Sequence, residues 1–139
     1  LDLMRTEIWD YALKFIFERP LLGWGSGYFP LMINQQTGFW KGHPHNLILE
    51  LAVSYGYPVT ILIFVSILLL LINSFKVIFS NKSQNGQQNL FEKAWWVSAF
   101  IFIISQSFDV QYFDGRISIV FWLLLAGIKS IIDENIQSI

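Results

Sequence analysis

The sequence predicts an all-α integral membrane protein, with an extracytoplasmic amphipathic helix and loop followed by about three transmembrane helices. Three observations lead there. The run Leu51–Phe75 carries no charge over 25 residues, and a bilayer core of about 30 Å needs roughly 20 such residues as helix. Two further apolar runs follow, Ala94–Phe108 and Ile117–Ile128, each bounded by charged residues. The chain of 139 residues is 54% hydrophobic and 17% aromatic with only 14% charged, at a mean hydropathy of +0.49, which is not the composition of an ordinary soluble domain.

Residues 1–50 are expected on the extracytoplasmic side. Residues 1–19 read as a helix too charged to span: at about 100° per residue Glu7, Asp10, Lys14 and Glu18 share one face, the pattern of an amphipathic helix lying at or near a membrane surface. Pro20 ends it. Leu21-Leu22-Gly23-Trp24-Gly25-Ser26-Gly27-Tyr28-Phe29-Pro30 follows, where three alternate glycines permit close backbone approaches. This reads as a structural turn, with a backbone anion nest as the alternative; its spacing, after a helix, excludes a dinucleotide fingerprint. Leu47–Tyr55 reads as a short helix, N-capped by Asn46 and closed by Gly56. The first membrane helix covers residues 51–75 and starts near Pro58, which suits a first helical turn.

Residues 76–93 are expected as a cytoplasmic loop containing the polar, low-complexity stretch Ser80–Asn89. Residues 94–108 and 117–132 are the next two spans. Both are short alone, but Lys93, Arg116 and Lys129 can snorkel and let them lengthen or tilt; a buried soluble hairpin is the alternative. Residues 109–116 form the extracytoplasmic turn between them, and 133–139 a cytoplasmic tail. Orientation comes from Lys76, Lys82 and Lys93 in the first loop, against Arg116 with Asp109 and Asp114 in the second, because positive residues stay inside. The chain begins at Leu1 with no basic n-region and apolar h-region, so that stretch is not read as a signal peptide, and the whole reads as a piece of a longer protein.

Nine Lys and Arg against ten Asp and Glu leave no basic excess to hold a polyanion, so no nucleic-acid partner is expected. Zero cysteines exclude disulfides, thiolate zinc sites, iron–sulfur clusters and a cysteine nucleophile.

Two features carry chemistry. Arg5 falls nearly opposite the polar face of the first helix, in line with Trp9, Ala12 and Ile16, where a guanidinium needs an anion or acceptors. Either it snorkels or stacks on Trp9, or it faces a cavity and awaits a phosphate, which its planar fork matches. Lys41-Gly42-His43-Pro44-His45-Asn46 is the densest polar cluster. The helix capped by Asn46 directs free N–H groups and its positive dipole end at this cluster, and an imidazole there can take a proton from a hydroxyl. A plain capped loop is the alternative. No metal is expected, because His-x-His with no Cys and only Glu50 nearby is an incomplete ligand set. Arg116 either pairs with Asp114 across its turn or, if that turn folds over the histidine loop, supplies a second cation.

The ordered set Arg5-x-x-x-Trp9, Pro20-Leu21-Leu22-Gly23-Trp24-Gly25-Ser26-Gly27-Tyr28-Phe29, His45-Asn46-Leu47-Ile48-Leu49-Glu50-Leu51 and Gly56 before a long membrane helix resembles the O-antigen ligase and polymerase family. The match runs from about residue 5 to residue 65, and Asp114-Gly115-Arg116 before a closing helix looks like the family's C-terminal portion. The resemblance implies a GT-C-like, multi-pass glycosyltransferase of the bacterial inner membrane with its active loop on the periplasmic side. Such enzymes use neither cofactor nor metal. They move a glycan from undecaprenyl diphosphate to an acceptor hydroxyl, on the lipid A core for ligases and on another lipid-linked repeat for polymerases. By resemblance His45 corresponds to the essential histidine and Arg5 to an essential arginine. His43, Asn46, Lys41 and Arg116 are then the candidate substrate-binding residues, with Arg116 or Lys41 helping Arg5 hold the diphosphate. His45 acts either as base toward the acceptor or as donor to the leaving group. The fragment alone is expected to be inactive. A transporter or flippase for lipid-linked glycans is the reading from another class, but it predicts charges within the spans, and Leu51–Phe75 has none.

Overall fold

Residues 3–80, 86–111 and 114–137 are described by the computed structural model. They form five helices: α1 (Arg5–Glu18), α2 (Phe29–Thr37), α3 (Leu47–Ser80), α4 (Gly86–Ser105) and α5 (Gly115–Gln137). The chain divides into two compact units, one of residues 1–64 with 106–110 and one of residues 65–105 with 111–139.

In the first unit, the Glu7 carboxylate accepts the Met4 backbone N–H at 2.7 Å, an acidic group where the N-terminal helix dipole favours one. The expected polar stripe of α1, Glu7, Asp10, Lys14 and Glu18, is exposed. Its apolar stripe is covered by protein: Ile8, Ala12, Phe15 and Ile16 pack with Phe29, Met32 and Ile33 of α2 and Ala52 and Val53 of α3. Arg5 does not share that burial. It is exposed, so the desolvation argument made for it from the helical wheel does not apply. The helix α2 is absent from the sequence-based expectation. Its ends were nonetheless marked, by Pro30 in the first turn and by Gly38, which takes φ 75° and donates its N–H to the Asn34 carbonyl.

The continuous helix α3 hides the break that Gly56 predicts. Gly56 adopts φ 78°, ψ 173°, and it interrupts the ladder together with Pro58, which has no N–H to offer Ser54. The Tyr57 N–H donates to the Pro20 carbonyl at 2.7 Å instead of to Val53. The glycine-rich turn repairs the loss: the Trp24 N–H donates to the Val53 carbonyl at 2.8 Å and the Gly25 N–H to the Ser54 carbonyl at 2.9 Å. Both approaches require glycine. A Cβ on Gly23 would fall 2.6 Å from the Ser54 backbone, and one on Gly56 would fall 2.5 Å from that of Leu21.

In the second unit, α4 packs on α5 and on the end of α3. The Trp96 Nε1–H donates to the Leu71 carbonyl (3.2 Å) and Ser74 Oγ (3.0 Å), and the Trp95 Nε1–H donates to the Leu124 carbonyl (3.0 Å). A Cβ on Gly127 would meet the Trp95 indole at 2.4 Å, so glycine is what lets that ring lie against α5. The expected loop at 76–93 is shorter than its composition suggested: α3 runs to Ser80 and α4 starts at Gly86. Residues 81–85 lie outside the described residues, as do Tyr112 and Phe113 of the expected 109–116 turn. Helix α5 continues through residues 133–137, where a tail was expected. Among the described residues two helices are long and apolar enough to cross a membrane, Leu47–Phe79 and Gly115–Glu134. Helix α4 has the 20 residues, but it opens on Gly86-Gln87-Gln88-Asn89 and carries Glu92 and Lys93 in its second turn.

Candidate active site

The histidine loop is built into the start of α3. Asn46 Oδ1 accepts the N–H groups of Ile48 (2.9 Å) and Leu49 (3.2 Å), the cap the sequence predicts. Three further bonds stitch this loop to residues 106–109, some 60 positions later. Asn46 Nδ2 donates to the Ser107 carbonyl (3.0 Å), the Leu47 N–H donates to the Gln106 carbonyl (3.0 Å), and His45 Nδ1 meets Asp109 Oδ1 at 2.9 Å. From the other side the Trp9 indole N–H donates to the Pro44 carbonyl at 2.8 Å.

His45 has φ +52°, the one non-glycine residue in the left-handed region among those described. For a residue with a Cβ this costs about 1–2 kcal/mol, so the surrounding bonds must hold it. The conformation turns the His45 N–H onto His43 Nδ1 (3.2 Å) and brings the two rings edge to face at 4.4 Å. The His45 side chain remains 33% exposed, enough to be reached by substrate.

The charges are arranged around that ring. Asp109 is held below the usual carboxylate range, chiefly by its hydrogen bond with His45, with burial opposing. An ionised carboxylate only accepts, so Nδ1 is the protonated nitrogen of His45 in this pair, and Nε2 is left for chemistry. His43 is pushed below the ordinary histidine value by burial and by the charge of His45, with Asp109 pulling the other way. It is therefore neutral near pH 7.

The family comparison coincides with this site. Residues 2–64 match the family model described as O-antigen ligase. That segment is similar to the O-antigen ligase family. A relative in Acinetobacter baylyi, the ComP-specific O-oligosaccharyltransferase, is 35% identical over 57% of this chain and 15% of its own length, so the chain spans a small part of the relative it matches. No solved structure matches.

Within the matched segment, the structure brings His43, His45 and Asn46 together and sets Lys41 just before them. Arg5 stands in the first turn of α1, one turn before Trp9 and so on the side of the helix that is tied to Pro44. The stacking offered for Arg5 on Trp9 is not made; Arg19 makes such a contact, over Trp24 at 4.1 Å. Arg116 pairs with Asp114, its Nε and terminal N–H groups donating to the carboxylate at 3.3 and 3.2 Å, as the first of its two readings has it. The turn between Pro20 and Phe29 behaves as a structural one, since the N–H groups of Gly23, Trp24 and Gly25 are all taken by carbonyls. Donor atoms of His43, His45 and Asp109 lie within 4.8 Å of one another, close enough to close on a metal ion. His45 Nδ1 is already bonded to Asp109 Oδ1, however, and His43 Nδ1 already accepts the His45 backbone N–H.

Asp109 is the residue that sequence reasoning missed, and it lies beyond the family match. Its signal was weak: an acidic residue opening the turn predicted on the same side of the membrane as the histidine loop.

Proposed function

We propose that this chain carries the catalytic loop of a metal-independent, inverting glycosyltransferase of the O-antigen ligase type, in the bacterial inner membrane with the loop on the periplasmic side. The donor is a glycan on undecaprenyl diphosphate, and the acceptor is a hydroxyl of the lipid A core. In this reading the acceptor oxygen attacks the anomeric carbon, its proton passes to His45 Nε2, and the bond from that carbon to the diphosphate oxygen breaks. Attack from the face opposite the leaving group inverts the anomeric centre. Arg5, with Lys41, stabilises the charge that develops on the diphosphate, while His43 and Asn46 shape the substrate pocket; Arg116, expected as a further cation, is taken up by Asp114. Asp109 orients His45 and stabilises the imidazolium as it forms.

The observation that carries this proposal is the His45–Asp109 pair at 2.9 Å, on a ring that is reachable and whose backbone conformation is strained. It favours the base over the donor role, because Asp109 fixes the proton on Nδ1 and leaves Nε2 to accept one. A pH–rate profile of the full-length parent tests this. A base loses activity toward acid, whereas a cationic donor loses activity toward alkali.

A second acceptor follows from the relative's name, an O-oligosaccharyltransferase specific for ComP: an oxygen of a protein acceptor in place of the lipid A core. A polymerase, with another lipid-linked repeat as acceptor, uses the same residues. Competition among lipid A core, lipid-linked repeat and protein acceptor in one membrane assay separates the three by product size. Movement of the lipid-linked glycan with no product of any kind would instead favour a transporter.

A further inference from the structure

Where the glycine-rich turn meets α3, the chain turns large apolar side chains outward. Phe17 is 71% exposed, Leu21 69% and Leu22 86%, and Leu13, one turn before Phe17, extends the strip along α1. Large apolar side chains exposed so close together in the chain are unfavourable in water and mark a contact surface. Its position is fixed by the backbone. The Pro20 carbonyl accepts the Tyr57 N–H at 2.7 Å, and the Leu21 carbonyl presses on Gly56 so closely that a Cβ there would sit 2.5 Å away. Leu21 and Leu22 are thus tied to Gly56 and Tyr57, at the head of the apolar stretch whose Val59, Ile61 and Leu62 also face outward. Around them stand Trp24, with the Arg19 guanidinium over its ring at 4.1 Å, Tyr28 stacked on Trp24 at 6.0 Å, and the exposed Tyr55 and Tyr57. Trp, Tyr and an Arg with an apolar stem are the side chains that collect at a membrane–water boundary.

We propose that the Pro20–Gly23 turn is a membrane wedge: Leu21 and Leu22, with Phe17 beside them, enter the acyl region of the bilayer next to α3, and Arg19 and Trp24 mark the headgroup level. The occupant is lipid because the strip continues the surface of α3 that the membrane reading assigns to lipid, and the inference rests on that reading. The wedge would also set the depth of the reaction, since the same turn holds the carbonyls of Val53 and Ser54 on the helix that begins at the histidine loop.

The test uses the full-length parent in lipid nanodiscs, with a bimane label on a single introduced cysteine. Leu22→Cys is the test position, Leu62→Cys marks the span, and Gln35→Cys marks the aqueous side. Brominated lipids should quench the label at 22 nearly as strongly as at 62 and leave that at 35 bright, while iodide should do the reverse. If 62 is quenched by lipid but 22 by iodide, the turn lies in water and the wedge is wrong. If 62 is quenched by lipid and 22 by neither, another part of the parent covers the strip, and the wedge is equally wrong. If lipid does not reach 62, the membrane reading of α3 fails and takes the wedge with it.

Discussion

Replacing Asp109 by Asn keeps an oxygen that can accept from His45 Nδ1 and removes only the charge. A charge-assisted hydrogen bond is roughly twice as strong as a neutral one, and bonds to charged groups contribute about 1.5–3 kcal/mol. The His45 and Asp109 side chains are 33% and 51% exposed, so solvent screens the pair and the lower end applies. A loss of about 1 kcal/mol in stabilising the imidazolium corresponds to a roughly fivefold slower transfer. Asp109→Ala, which also frees the ring, should cost about tenfold or more on the same scale. The assay is the initial rate of glycan transfer by the full-length parent in membranes at saturating acceptor. The loss is expected in kcat with KM little changed, because the interaction strengthens as the ring gains its proton. Unchanged rates in both variants, at equal protein levels, would refute the dyad.

Three further predictions follow from the same contacts. Gly56→Ala combines a positive φ with a Cβ 2.5 Å from the Leu21 backbone, so about 2–4 kcal/mol of destabilisation is expected, read as a large drop in Tm; an unchanged Tm would show that the kink relaxes freely. Asn46→Ala removes the α3 cap and the bond to Ser107, about 2 kcal/mol together, and should raise amide exchange both at residues 46–50 and at residues 106–109. His43 binds its proton less well in the folded loop than in an unfolded chain, where histidine titrates near 6.5. The unfolded state therefore holds more protons in between, and the stability present above about pH 6.5 is lost as pH falls through the folded value. Amide protection of residues 43–50, corrected for intrinsic rates, should drop in mild acid in wild type and not in His43→Gln.

The parts of this molecule that were legible in the sequence are those written in local chemistry. Asn46 before an apolar run gave a cap, Gly56 gave a break, and Asp114 two residues before Arg116 gave a pair; all three are in the structure. The wheel that placed Arg5 in line with Trp9, Ala12 and Ile16 got the angle right and the burial wrong: Arg5 is exposed, because a wheel gives direction around a helix axis and not what covers each position along it. Helix α2 went unseen because its nine residues hold too few apolar positions to show a period. The low-complexity stretch hid the start of α4, whose first residues are polar yet helical once Trp95 and Trp96 anchor the turns that follow. Asp109 was out of reach for a different reason: a contact between residues 64 positions apart leaves no mark on spacing.

Glycan transfer by the full-length parent, compared for wild type, His45→Asn and Arg5→Ala, tests the central claim most directly. Asn tolerates the left-handed backbone of position 45 and can still donate to Asp109, so His45→Asn should insert and fold normally while transferring nothing. Arg5→Ala should bind and react with the diphosphate-linked donor far more weakly. Transfer at the wild-type rate by His45→Asn would contradict the account, whatever acceptor is used.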